Sequence, residues 1–470
     1  MSTTKGKFAI AILAAGKGTR LKSKRAKVLH EIAGKALLAH VIEAVPEDIP
    51  PSDVICIIGH QADCVRESVG GYGVQFVEQT EQRGTGHALM ICREALASYE
   101  HVLVLSGDVP LIGTETIERV RKFHTERGAA MTILTATPPD PFGYGRIIRG
   151  VGDTVAAIVE QQQTTPEQTA IREINSGIYA FNVRELFARI DRLGTENPHD
   201  EYYLTDMASL LRADGLRVLA LPAKDFAEVL GVNTRAELAA LDSVLRQRKC
   251  NELMQNGVTI YRPETCTIDC DVQVGADTVI EPFVQLLGKT VVGSDCHIRS
   301  YTVLTNTQVA DGVTIKYGCI TEDSVVDSGA ILGPYSHLRP ASHIGPLAHV
   351  GNFVEIKKSR LGRGSKANHL TYLGDSEIGE GVNVGAGTIT CNYDGINKFK
   401  TIIGDGAFIG SDTTLVAPVK VGKGAYIGAA SCITQDLPDD SLGLTRPPQV
   451  TKEGWATKKR EELKAKKKNG

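Results

Sequence analysis

From Ile403 onward an aliphatic residue stands at every sixth position (Ile403, Ile409, Leu415, Val421, Ile427, Ile433), and most are followed by Gly. A helical face needs steps of three and four, so this spacing excludes a helix. Short self-similar periods mark a parallel β-helix, in which each repeat lays one face of a coil and sends one aliphatic side chain into a shared core. The same six-residue step runs through Leu332, Leu338, Ile344, Val350 and Ile356. It also runs earlier, through Ile268, Val274, Ile280, Leu286, Val292, Ile298 and Leu304. Three hexads close one triangular coil, so roughly 170 residues of this rhythm predict about nine coils stacked at strand spacing.

A chain of 470 residues exceeds a single hydrophobic core and predicts two or three domains. A formal net charge of −3 and a pI near 6.5 give no overall electrostatic case for nucleic acid or an anionic membrane. Any phosphate binding must therefore be local. The apolar run at 8–15 follows Lys5 and Lys7 but leads straight into Gly16-Lys17-Gly18-Thr19-Arg20, and it reads as a buried first strand rather than a secretory segment. No stretch approaches the roughly 20 apolar residues that span a bilayer. The ten cysteines include no C-x-x-C pair, and the closest two are Cys266 and Cys270. Reduced, mostly buried thiols in a soluble, cytoplasmic protein are the expectation, with no metal assigned to cysteine.

Residues 1–235 alternate short apolar strands, at 8–15, 54–59, 102–106, 131–136 and 176–181, with helix-like stretches such as 110–127. This pattern predicts an α/β domain with a largely parallel, Rossmann-like sheet. Asn233-Thr234 reads as an N-cap, and Leu238, Leu241, Leu245 and Leu253 mark one face of a linker helix at 236–256. The repeat domain, 257–470 with its tail, is interrupted at 391–401, and insertions in solenoids often carry function. The Lys-rich stretch 458–468 reads as a solvated or disordered tail, with contact to an anionic surface as the alternative.

The first strand ends in Leu13-Ala14-Ala15-Gly16-Lys17-Gly18-Thr19-Arg20, a glycine-rich loop of the kind that lets backbone N–H groups approach phosphates. It is neither a Walker loop nor a dinucleotide fingerprint, because Leu21 replaces the last glycine of G-x-G-x-x-G. Arg20 and Lys27 add positive charge. Gln79 with Gly84-Thr85-Gly86 makes a second polar turn, and Asp108 follows an apolar strand, where α/β sheets place ligands. Taken singly, Asp108 is equally a helix N-cap before Pro110, and Lys27 a solvated charge.

In the repeat region, 351–358 and Asn368-His369-Leu370-Thr371-Tyr372 bring an acid, two bases, an imidazole and a phenol onto neighbouring coils. Acetyl transfer from a thioester to an amine needs a base for the ammonium proton, which suits His369, with Glu355 placed to orient it. Without that company, a histidine in a coil turn is an ordinary surface residue.

The N-terminal loop resembles that of the sugar-nucleotide pyrophosphorylases. Nearly the whole chain is similar to the bacterial family that is both N-acetylglucosamine-1-phosphate uridylyltransferase and glucosamine-1-phosphate N-acetyltransferase. The resemblance implies that Leu13, Ala14, Ala15, Gly16, Gln79, Gly84 and Thr85 hold the uracil and ribose of UTP. It implies that Gly145, Glu160 and Asn175 hold N-acetylglucosamine-1-phosphate, and that Asp108 and Asn233 ligate Mg²⁺ while Arg20 and Lys27 neutralise phosphate charge. Ser106 stands where many members carry Tyr, and Gln162 where Lys often follows the sugar-binding Glu. For the second site the resemblance implies His369 as base, with Arg339, Lys357, Tyr372 and Asn383 around glucosamine-1-phosphate. Asn392, Tyr393 and Lys398 reach in from the insertion, and Ala386, Ser411, Ala429 and Arg446 match contacts to acetyl-CoA. It also implies a left-handed β-helix, and a homotrimer whose neighbouring chains complete each acetyltransferase site.

Two rivals stand beside this reading. One is a single-activity nucleotidyltransferase with a structural or regulatory β-helix, and the other is a non-enzymatic scaffold that binds sugar nucleotide.

Overall fold

The computed structural model describes residues 7–197 and 199–468 and parts into two compact units between Arg248 and Lys249. In the first, seven strands lie in the order Val218–Pro222, Met131–Ala136, Ile174–Asn182, His101–Ser106, Phe8–Ala14, Val54–Ile58 and Gln75–Glu78. Strands Phe8–Ala14 and Val54–Ile58 are continuous apolar runs because both faces of the sheet are covered. Ile10, Ile12, Cys56 and Ile58 enter one core, and Ala9, Ala11, Ile55 and Ile57 enter the other.

Strand Ile174–Asn182 runs antiparallel to both neighbours, while the other six strands of the order all point the same way, so the sheet is largely parallel, as expected, and mixed by this one strand. The chain reaches this strand from the hairpin Arg146–Arg149 and Val155–Val159, which pairs with its first residue. No long helical crossover intervenes, and a parallel strand would need one. Residues 110–113 form a turn, so the following helix is Thr114–Arg127. Helix Arg235–Gln255 opens with a capping box: Thr234 Oγ1 accepts from the Glu237 N–H at 3.2 Å, and Glu237 Oε2 accepts from the Thr234 N–H at 2.7 Å.

The second unit is a left-handed parallel β-helix of three sheets with eleven, ten and nine strands, close to the nine coils expected. Every aliphatic position of the six-residue step is buried except Val274, which is half-buried. Each fully buried Ile or Leu contributes about 1.5–3 kcal/mol, so the core is a long additive stack. Between the second and third faces the step often shortens to five, from Leu304 to Val309, Thr321 to Val326, Ile356 to Leu361 and Leu373 to Ile378. Asn306, Asp323, Lys358 and Asp375 turn these short corners with left-handed backbone, φ 41–50°. Thr321 and Thr390 fill inward positions and are buried like the aliphatics.

The corner between the first two faces carries Phe283, Tyr301, Tyr335, Phe353 and Leu370 in left-handed conformations, 44–64 % exposed. Phe283 stacks on Tyr301 at 5.3 Å and Tyr335 on Phe353 at 5.7 Å. Bulky side chains seldom adopt such backbone. The Lys-rich tail is solvated but ordered as helix Trp455–Lys468. No helix among the described residues is long and apolar enough to cross a membrane, and six of the ten cysteines are buried.

One buried cluster makes the first unit acid-sensitive. The His124 ring is fully enclosed, with Nδ1 against Thr132 Oγ1 at 2.9 Å and edge-on to His101 at 5.0 Å. Burial, reinforced by His101, lowers its pKa to about 3. The unfolded chain therefore takes up this proton near pH 6.5 while the folded one refuses it, so stability is full above pH 6.5 and falls as pH drops toward 3. Urea unfolding of His124→Phe should show a shallower loss of stability across that window than the parent chain.

Candidate functional site

The loop after strand Phe8–Ala14, the turn before helix Thr85–Met90 and the end of strand His101–Ser106 surround a cavity of about 320 Å³. Leu13, Ala14, Ala15, Gly16, Lys27, Gln79, Gly84, Thr85, Ser106 and Asp108 all line it. Gln79 is buried, and its amide meets the Gly84 carbonyl at 3.1 Å and His87 Nδ1 at 3.1 Å. Gly84 has φ of 100°, and a Cβ there would lie 2.6 Å from the Tyr202 carbonyl oxygen, so the turn tolerates only glycine.

At the mouth, the Lys27 ammonium is paired with the Asp108 carboxylate and donates to Asn233 Oδ1 at 2.8 Å. Arg20 Nη2 donates to the same Asn233 oxygen at 2.7 Å. Four residues drawn from three distant segments thus meet at one point. Asn233 is held there because its backbone N–H donates to Glu237 Oε2 at 2.7 Å, and the Val232 N–H donates to the Asp108 carbonyl at 2.9 Å.

Gly145, Glu160 and Asn175 form a second group. The Asn175 N–H donates to the Gly145 carbonyl at 2.8 Å, and a Cβ on Gly145 would lie 3.5 Å from Glu160 Oε2. Burial pushes the Glu160 carboxyl above its usual range, against a hydrogen bond from Thr205. Ser106 lies toward this group, 3.5 Å from the Gly177 carbonyl.

On the β-helix, His369 is exposed and its Nδ1 meets Asn352 Oδ1 at 2.8 Å. An acceptor at Nδ1 selects the tautomer that leaves the Nε2 lone pair free. Glu355 does not pair with this imidazole: it accepts from Arg339 Nη1 at 2.9 Å and sits opposite Tyr372 in the ladder of the next face. Asn352 fills the orienting place because it stands across the ladder from His369, one coil away. Lys357 contacts Lys398, and this like-charged contact is the chief cause holding its pKa below the usual lysine range. Asn383 lies on the same face as His369, between Lys366 and Phe408. Asn392 is buried beside Asp375, whereas the Tyr393 hydroxyl turns back to the Gly395 carbonyl of its own loop.

Ala386, Ser411, Ala429 and Arg446 form one column over successive coils. The Asp412 N–H donates to Ala386 O at 2.7 Å, the Ala430 N–H to Ser411 O at 2.8 Å, and Arg446 Nη1 to Ala429 O at 3.0 Å. Sequence reasoning missed Asn352, Thr205 and the cavity residues Gln82 and Glu201. Counting one coil back from His369 finds Asn352, but nothing local marks the others.

The family model for the MobA-like NTP transferase domain matches residues 10–199, and that for the bacterial transferase hexapeptide matches 271–306 and 400–435. The chain is 65 % identical to the bifunctional protein GlmU of Koribacter versatilis, over 99 % of this chain and all of that protein. It is 50 % identical to the bifunctional protein GlmU of Solibacter usitatus, over 96 % of this chain and 97 % of that one. The chain belongs to the GlmU family. It is a bifunctional enzyme of UDP-N-acetylglucosamine synthesis that acetylates glucosamine-1-phosphate with acetyl-CoA and transfers UMP from UTP to N-acetylglucosamine-1-phosphate. Both rivals fall with that identification.

Gly18 keeps Lys27 in place: it has φ of 63°, and a Cβ there would lie 2.6 Å from the Lys27 Cβ. Gly18→Ala should lower kcat for uridylyl transfer by about tenfold or more, through misplacement of the ammonium, with acetyl transfer unchanged. Steady-state assays of both half-reactions on one preparation check this.

Proposed function

We propose that uridylyl transfer takes place at the cavity of the first unit and acetyl transfer on the β-helix. In domain terms, 1–235 carries the first activity, 236–256 links, and 257–470 carries the second. The observation that carries the first assignment is the meeting of Arg20, Lys27 and Asp108 with Asn233.

Leu13 to Gly16, Gln79, Gly84 and Thr85 take the uridine of UTP, and Gly145, Glu160 and Asn175 take the sugar, with Ser106 between the two groups. The phosphate of N-acetylglucosamine-1-phosphate attacks the α-phosphorus of UTP and pyrophosphate departs. Arg20 and Lys27 neutralise the charge that gathers on the phosphoryl oxygens, a task of positioning and electrostatics. Asp108 and Asn233 suit Mg²⁺, since their two hard oxygens already converge on one cation, the Lys27 ammonium. When bound, the metal would supply further neutralisation of phosphate charge.

For acetyl transfer, His369 Nε2 takes the proton from the glucosamine ammonium, and Asn352 fixes the imidazole's tautomer. The freed amine attacks the thioester carbonyl, and coenzyme A leaves as the thiol. Arg339, Lys357 and Lys398 form a cationic cluster suited to the sugar phosphate, which would relieve the contact between the two lysines. Tyr372, Asn383, Asn392 and Tyr393 complete that site, with the column Ala386, Ser411, Ala429 and Arg446 along acetyl-CoA. Glu355 acts by holding Arg339.

A homotrimer fits this reading, because the exposed aromatic corner of Phe283, Tyr301, Tyr335 and Phe353 offers a face for a second copy of the chain. The use of UTP and acetyl-CoA, together with ten free cysteines, supports a cytoplasmic location.

The test follows thiol and pyrophosphate release separately. His369→Ala should lower acetyl transfer by about 10²–10⁴-fold and leave uridylyl transfer from ready-made N-acetylglucosamine-1-phosphate intact. Loss of both activities in a folded variant would overturn the separate-site assignment.

A further inference from the structure

Arg146 heads the largest fully buried side chains, at 1 % exposed, yet among the described residues it makes no ion pair. A guanidinium enclosed without a carboxylate is costly, so its neutral acceptors must hold it firmly. Nη1 donates to the Tyr144 carbonyl and Nη2 to Gln161 Oε1 at 2.8 Å, while Nε has no partner. The same Gln161 oxygen accepts from the Gly143 N–H at 3.1 Å.

One side-chain oxygen therefore ties the turn at 143–145 to the segment that follows Glu160. The turn bears Gly145, whose carbonyl accepts from Asn175, and the segment bears the Glu160 carboxylate close beside it. The bridge thus joins all three members of the proposed sugar subsite, without needing any of its own atoms to touch sugar.

We infer that Arg146 and Gln161 are positioning residues for the uridylyl acceptor, setting the gap between Gly145 and Glu160 in which N-acetylglucosamine-1-phosphate is held. This rests on the sugar-site reading above. It deepens that reading by assigning acceptor selectivity to a contact one layer behind the sugar. Gln161 is only half-buried, so its substitution leaves the fold intact, whereas loss of Arg146 strands a buried pocket of acceptors.

The full-length enzyme is assayed for pyrophosphate release with N-acetylglucosamine-1-phosphate and UTP varied in turn. Gln161→Ala should raise KM for the sugar phosphate about tenfold, with KM for UTP and the acetyl-transfer rate unchanged. Gln161→Glu keeps an acceptor oxygen for both donors and should bring KM back toward the parent value. A Gln161→Ala enzyme with unchanged sugar-phosphate KM overturns the inference, as does an equal rise in both KM values. Asn175→Ala separates the two layers. If it raises the sugar-phosphate KM while Gln161→Ala does not, the bridge fails and the sugar site stands. If neither does, the sugar-site reading itself fails.

Discussion

Closure of each triangular coil is the constraint on which the second unit depends. A chain that advances one strand spacing per turn must point one side chain inward per face and bend sharply three times, with every backbone group paired to the coils on either side. The inward positions supply the hydrophobic stack, and the corners demand left-handed backbone, met by Gly, Asn and Asp at most places and by large aromatics at one edge. The placing of the proposed acetyltransferase residues follows from this geometry. His369 and Asn352 face each other because they occupy the same rung of adjacent coils, and the column from Ala386 to Arg446 is straight because the stack is straight.

The first unit obeys a different rule. Its proposed site gathers at strand ends, where Leu13, Ser106 and Asp108 leave the sheet, and a single antiparallel strand carries Asn175. The oxygen of Asn233 gathers two cations there, and the capping box behind it fixes the loop that presents it. The Glu237 carboxylate serves both the helix cap and the placing of Asn233.

Much of this is legible in the sequence, because the period of apolar residues is itself the geometry of the coil. The reading weakens where that period bends. The shift from six to five at short corners ends the runs at Leu304 and Ile356 while the solenoid continues, and Thr321 and Thr390 hide inward positions behind a polar letter. The direction of strand Ile174–Asn182 is not encoded in its own pattern, since either direction alternates alike. The Lys27 to Asn233 contact joins residues far apart along the chain, and only the family resemblance assigns both to one site. Glu201 and Thr205 carried no local mark at all.

The rung spacing of the solenoid has a consequence for how the chain is made. Most rung partners are separated by 17 or 18 residues, as His297 and Thr314 or Val279 and His297 are, so each coil can zip onto the last soon after leaving the ribosome. In the first unit, by contrast, Phe8 waits for His101 and Met131 for Val218 before the sheet can close. Loop-closure entropy therefore weighs on the nucleotidyltransferase half and scarcely on the β-helix. The half synthesised first has the greater need of long-range contacts, and the low-contact-order half follows it as a fast-forming stack.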